Sequence, residues 1–170
     1  MNNKFPKKYI SEEGIDWIQH GAKQGEVLTG TVKSIKPFGA FVEVDKGVIG
    51  LLHIEDISVS RIKSPAERFS VGQKINVMIK SVDKDLNRIE LTHKELLGTW
   101  EENVENYEEG SKVKGIVRET EKKGNGIFIE LRPNLVGLAE YKDGYEYGQT
   151  VDVFIKKIVK DKKKIKLLII

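Results

Sequence analysis

Apolar and polar positions alternate along short stretches of this chain, the mark of strands with one face in a core and one toward solvent. In "KPFGAFVEVD" at 36–45, Ala40, Val42 and Val44 share one face, and Phe41 falls on the other beside Glu43 and Asp45. Burial of the valines then predicts that Phe41 points outward, toward water. The same parity turns Arg88 outward, because Ile89 and Leu91 claim the inner face. It also turns Phe128 outward, because Ile127, Ile129 and Leu131 do so further along. Strands are expected near 26–36, 40–45, 48–53, 73–83 and 88–93. Turns carrying Gly, Asp, Asn and Lys separate them, "DKG" at 45–47 and "DKDLN" at 83–87 among them.

This block occurs twice. "GEVLTGTVKSI" at 25–35 answers "GSKVKGIVRET" at 110–120, and "GAFVEV" at 39–44 answers "GIFIEL" at 126–131. "VIGLLH" at 48–53 answers "LVGLAE" at 135–140. "VGQKINVMIKSVDKDLNRIELT" at 71–92 answers "YGQTVDVFIKKIVKDKKKIKLL" at 147–168 without a gap. The spacing is too long for a solenoid repeat and suits a small domain. Five antiparallel strands in so short a unit favour a closed barrel of the OB type, since an open sheet would leave exposed edges. The copies differ between the third and fourth strands. The first has a long connection, Ile54 to Ser70, and the second only Tyr141 to Glu146. Long ordered connections in small domains often carry function.

Two segments outside the barrels have helical spacing. "SEEGIDWIQHGAKQG" offers Ser11 as N-cap, Ile15, Trp17 and Ile18 as one face, and Gly21 as a stop. "KELLGTWEENVENYEEG" places Leu97, Trp100, Val104 and Tyr107 on one stripe, which predicts a connector docked by that stripe. The expected organisation is therefore a helical extension over 1–24, a barrel over 25–95, a helical linker over 96–109 and a second barrel over 110–170. The fold class is all-β, two tandem five-stranded OB-type barrels.

Charge sharpens the picture. The net charge of +3 is uneven: residues 25–98 carry 11 Lys/Arg against 10 Asp/Glu, residues 99–109 five Glu and no Lys/Arg, and residues 110–170 14 against 8. A basic carboxy-terminal half points mildly to a polyanion; lysine-rich solvated surface accounts for it equally well. The chain has no cysteine, which removes disulfides and thiolate metal sites and fits a cytoplasmic location. No apolar run is long enough to span a bilayer, and the first residues lack the apolar middle of a secretory signal. Enzyme motifs are missing: no Walker loop, no HExxH and no GxSxG. His20, His53 and His93 are dispersed, against a histidine metal cluster. "DKDLNR" at 83–88 opens like a calcium loop, but Arg88 stands where that loop needs Gly and Lys94 where it needs Glu. A turn is expected there, and no cofactor or metal.

The first unit strongly resembles the S1 RNA-binding domain, through "GEVLTGTVKSIKPFGAFVEVDKGVIGLLHIEDIS" and "FSVGQKINVMIKSVDKDLNRIELTHKE". The segment "LLGTWEENVENYEEGSKVKG" looks like the connectors between tandem repeats of ribosomal protein S1. The second unit is similar but degenerate. The resemblance implies an OB barrel that binds single-stranded RNA, and with the enzyme motifs missing the expected role is non-catalytic. It places an RNA-binding patch on Phe38, Phe41, His53, Asp83 and Arg88.

The residues themselves support part of that patch. An outward Phe offers a face on which any base can stack, and Arg88 can pair with a phosphate or lie over a base. His53 can stack or donate to RNA. Asp83 can orient Arg88 or accept from a base amino group. The plainer readings stand beside these. Phe38 shares parity with the buried set, so burial under the long connection and stacking both stay open. A lone histidine is ordinarily structural, and Asp83 most simply starts a hairpin turn. Lys33, Lys36, Lys74 and Lys80 are phosphate candidates or plain solvated charges.

In the second copy the Phe38 position falls near Lys123–Asn125, His53 becomes Glu140, Asp83 becomes Val159 and Arg88 becomes Lys164. Only a weaker RNA site at Phe128 and Lys164 transfers. Tyr141, Tyr145 and Tyr147 either rebuild a platform or cover the shortened barrel. The expected partner is single-stranded RNA, in translation, with no membrane. The alternative is an adaptor whose second barrel grips the ribosome or another RNA-processing protein, a polymerase or an RNA-decay nuclease, while the first holds RNA. The apolar "KLLII" at the end of the sequence motivates it.

Overall fold

The computed structural model describes residues 10–121 and 126–170. The chain separates into two compact units. One runs up to Ile57 and resumes over Ile62–Leu96; the other takes Ser58–Arg61 and Leu97–Ile170. The linker expected over 96–109 thus belongs almost wholly to the second unit, and the helical extension to the first.

The first unit is a closed barrel of β1 (Val27–Lys36), β2 (Gly39–Glu43), β3 (Ile49–His53), β4 (Lys74–Asp83) and β5 (Arg88–Thr92), in the order β1-β2-β3-β5-β4. β1 pairs antiparallel with both β2 and β4, and the parallel contact of β3 with β5 completes the ring. Register shifts at Val32/Ser34 and Ile79/Ser81 mark bulges, which bend the long strands around the barrel. The inner face is apolar as alternation requires: Val32, Ala40, Val42, Leu52, Val77, Ile79, Ile89 and Leu91 are fully buried in one cluster. Gly39 admits close pairing of β2 with β3, because a Cβ there would collide with the Leu52 carbonyl oxygen.

The amino-terminal segment closes over this core. α1 (Glu12–Asp16) starts at Ser11, whose Oγ accepts from the Gly14 N–H at 3.1 Å, and continues through a wider turn to Gly21. Ile18 is fully buried in the barrel core, and Trp17 packs against it. Within the long connection, Ser64 and Glu67 form a reciprocal capping box around a short helical turn, and Phe69 enters the core.

The second unit repeats the plan with β6 (Lys112–Glu121), β7 (Gly126–Arg132), β8 (Leu135–Ala139), β9 (Thr150–Val159) and β10 (Lys164–Ile169), closed in the order β10-β8-β7-β6-β9. The helical stripe read from the sequence condenses to α2 (Trp100–Val104), capped by Thr99 and Glu102 in a second reciprocal box. Its apolar side joins this barrel: Val104 is in the core cluster, with Trp100 and Tyr107 packed against it. The fold is all-β with two five-stranded barrels, as alternation and the repeat predicted.

Candidate nucleic-acid interface

Residues opposite one another on paired strands point to the same side of a sheet, so register defines the outer wall of the first barrel. Phe41 of β2 faces Ser34 of β1 and Leu51 of β3, and Leu51 in turn faces Glu90 of β5. His53 stands at the end of β3 opposite Gly39. Asp83 and Arg88 face each other at the mouth of the β4–β5 hairpin. None of Phe41, His53 and Arg88 belongs to the barrel's core cluster.

Phe41 departs from its expected exposure. It is outward, as alternation required, but only 3% exposed. The Phe38 ring meets it edge-on, with centroids 6.0 Å apart and planes at 83°. Leu51, its cross-strand neighbour, is 1% exposed, so a small apolar layer lies outside the barrel wall and is itself covered. The accessible ring is Phe38, which is half-buried. Parity does not govern Phe38, because it sits in the Pro37–Phe38 turn between β1 and β2. There its carbonyl accepts from the Ile54 N–H at 2.9 Å.

The remaining residues divide. His53 Nε2 lies 3.4 Å from Glu90 Oε1, both side chains partly exposed. That contact ties the His53 end of β3 to β5, two residues from Arg88. Arg88 is half-buried. The Asp83 carboxylate accepts from the Leu86 N–H at 3.1 Å, so it organises the hairpin turn, as its plainer reading held. Of the lysines, Lys33 pairs with Glu43 at 3.3 Å and Lys80 with Asp56 at 2.9 Å, while Lys36 and Lys74 are exposed. Glu90 could have been found in the sequence, since the parity that turns Arg88 outward turns it outward too.

Asp56 was not singled out in the sequence, and it is central to the long connection. Its carboxylate is 6% exposed and accepts from Lys80 at 2.9 Å, with Lys94 Nζ at 3.5 Å. Its carbonyl accepts from the His93 N–H at 2.9 Å. The hydrogen bond to Asp56 holds the Lys80 ammonium above the ordinary lysine value of 10.5. A lysine whose folded value is raised contributes stability that is full below its unfolded value and fades as pH climbs through the folded one. Asp56→Asn is expected to lower the stability of the first barrel by about 2 kcal/mol and to flatten this alkaline dependence. Urea titrations at neutral and alkaline pH check both.

On the second barrel, Phe128 is half-buried and faces Glu119 and Leu138, the latter 37% exposed. Leu138 faces Lys166, and exposed Lys164 faces Val159. An open groove runs past Phe128, Leu138, Tyr141, Lys156, Lys164 and Lys166. The counterpart of Phe38, near Lys123–Asn125, lies outside the described residues. The tyrosines serve as cover. Tyr141 and Tyr145 pack against the core, and Tyr147 accepts from Arg118 Nη1 at 3.2 Å.

Comparison with known proteins adds the decisive observation: the S1 RNA-binding domain model matches residues 22–94. Those residues belong to the S1 RNA-binding domain family. Among curated relatives, the small ribosomal subunit protein bS1 of Staphylococcus aureus is 31% identical, over 99% of this chain and 46% of its own. The bS1 protein of Staphylococcus saprophyticus is 33% identical, over 84% of this chain and 36% of its own. The 4-hydroxy-3-methylbut-2-enyl diphosphate reductase of Clostridium acetobutylicum is 35% identical over 86% of this chain, which is 24% of the reductase. The chain therefore spans less than half the length of these relatives. Among solved structures, GSP13 from Bacillus subtilis is 31% identical over 46% of this chain and 60% of its own, with a TM-score of 0.43. The matched residues cover the first barrel, and the second barrel repeats its strand plan.

Proposed function

We propose that the chain is a non-catalytic, cytoplasmic RNA-binding protein acting in translation, in contact with the ribosome. In this reading the first S1 barrel holds single-stranded RNA on the outer wall formed by β2, β3 and β5. The observation that carries it is the pair of rings at the β1–β2 turn, with a half-buried Phe38 braced edge-on by a covered Phe41. A base stacks on Phe38, whose ring is fixed before RNA arrives. Phe41 acts as the brace and Asp83 as the turn former. His53 and Arg88 supply donors to phosphate or base edges. Stacking is indifferent to base identity, so sequence preference is weak.

The test is titration of a fluorescent single-stranded oligonucleotide with wild type and a Phe38→Ala, Arg88→Ala double variant. Loss of one stacked base, at about 1–3 kcal/mol, predicts a drop in affinity of about tenfold or more while the circular dichroism stays that of wild type. Equal affinity of a folded double variant would remove the site assignment.

A further inference from the structure

The β9–β10 hairpin has a composition unlike its counterpart in the first barrel. Residues 156–166, "KKIVKDKKKIK", contain seven lysines and one aspartate. The equivalent residues 80–90, "KSVDKDLNRIE", contain three basic and three acidic side chains and are neutral. All seven lysines, from Lys156 to Lys166, are exposed. Register brings two of them together, Lys157 directly opposite Lys166, an arrangement in which like charges repel. Nearby carboxylates offset part of the charge: Glu108, Glu109 and Asp161 line one cavity with Lys157 and Lys160. Glu101 pairs with Lys163 at 3.4 Å, and Glu109 is engaged by the Ile158 backbone N–H at 2.8 Å. The outer wall of the first barrel, by contrast, carries Glu43, Asp83 and Glu90 among its cations.

We propose that this hairpin is a phosphate-backbone anchor for RNA, gripping the polyanion by charge rather than by reading bases. The proposal rests on the reading that the chain binds RNA, and it assigns the second barrel its own part in that binding. Lysine ammonium groups are hydrated point charges without the planar fork that reads carboxylates or base edges, so the site senses charge density. The self-repulsion of the free hairpin is relieved when phosphates settle between the lysines and counterions are released. The groove past Phe128 leads to Lys156, Lys164 and Lys166, which places the hairpin at the edge of the weaker Phe128 site. The first barrel then contributes base stacking, and the second most of the salt dependence.

The experiment measures affinity for a uridine oligonucleotide across a salt series, using the full chain. The variants are a Lys160→Gln, Lys162→Gln, Lys164→Gln triple, the corresponding triple to arginine, and the Phe38→Ala, Arg88→Ala double. Three lost phosphate contacts should reduce the slope of log affinity against log salt by about 2, given about 0.7 per contact on a single strand. The arginine triple should keep the wild-type slope, and the first-barrel double should change it by no more than the one contact Arg88 can make, about 0.7. Wild-type binding with an unchanged slope in the glutamine triple overturns the anchor and leaves the RNA reading standing. No binding by wild type at low salt overturns both. Binding to phosphatidylglycerol vesicles that the glutamine triple abolishes, with the RNA slope unmoved, reassigns the hairpin to a lipid surface and also overturns the proposal.

Discussion

Arg118→Ala is expected to destabilise the second barrel by about 3–5 kcal/mol, a large part of the stability of so small a domain. Arg118 Nε lies 3.1 Å from Glu130 Oε1, and both side chains are only 5% exposed. The guanidinium also donates to Tyr147 and lies 5.4 Å from the centroid of its ring. Truncating the arginine strands a carboxylate away from water, and that uncompensated charge is what costs so much. The repeat provides an internal control. The equivalent pair in the first barrel is Lys33 with Glu43 at 3.3 Å, with side chains 46% and 34% exposed. Water solvates whichever partner remains there, so Lys33→Ala is expected to cost less than about 1 kcal/mol. Replacing Arg118 and Glu130 together by Met and Leu should recover most of the loss, because the site can be filled by apolar volume. Guanidinium denaturation of the three variants separates these outcomes. A loss below about 1 kcal/mol for Arg118→Ala would show that the pair is not buried in solution.

That contrast also shows where sequence reasoning stops. Strand positions, the repeat and the inward residues follow from period-two alternation bounded by turn residues, and the strands lie within one or two residues of their expected places. Alternation reports direction, and direction alone does not set burial. Arg118 is adjacent to the register shift between Val117 and Glu119, where alternation breaks, so no periodic argument reaches it. Its cover comes from Tyr147, far along the chain, and only the folded backbone brings the two together. Asp56 was hidden for a similar reason, since both lysines on it come from β4 and the segment after β5. Outward direction was legible at Phe41 and Arg88, where parity and the family resemblance coincided. The division of labour between the two phenylalanines was not, because one of them sits in a turn.

Phe41→Ala is expected to lower the stability of the first barrel by about 3 kcal/mol or more, the usual cost of emptying a site that a buried phenylalanine fills. Phe38→Ala should cost the fold less, since its ring is half in water, and should weaken RNA binding directly. In the proposed reading the rings do different work, so the two effects are separable. Phe41, 3% exposed, has almost no face left for a base, and its contribution to binding passes through the orientation it gives Phe38. Phe41→Leu therefore discriminates between brace and platform. Leucine keeps apolar bulk beside Leu51 and under the Phe38 ring, but presents no aromatic face to a base. As a brace, Phe41 replaced by Leu should retain RNA affinity within a few fold of wild type while Phe38→Ala loses about tenfold, the loss of one stacked base. As a platform, the order would reverse. Thermal melts of the variants read the stability, and oligonucleotide anisotropy reads the binding. A Phe41→Leu protein that is folded and yet binds RNA as poorly as Phe38→Ala would mean that the covering of Phe41 opens when RNA arrives.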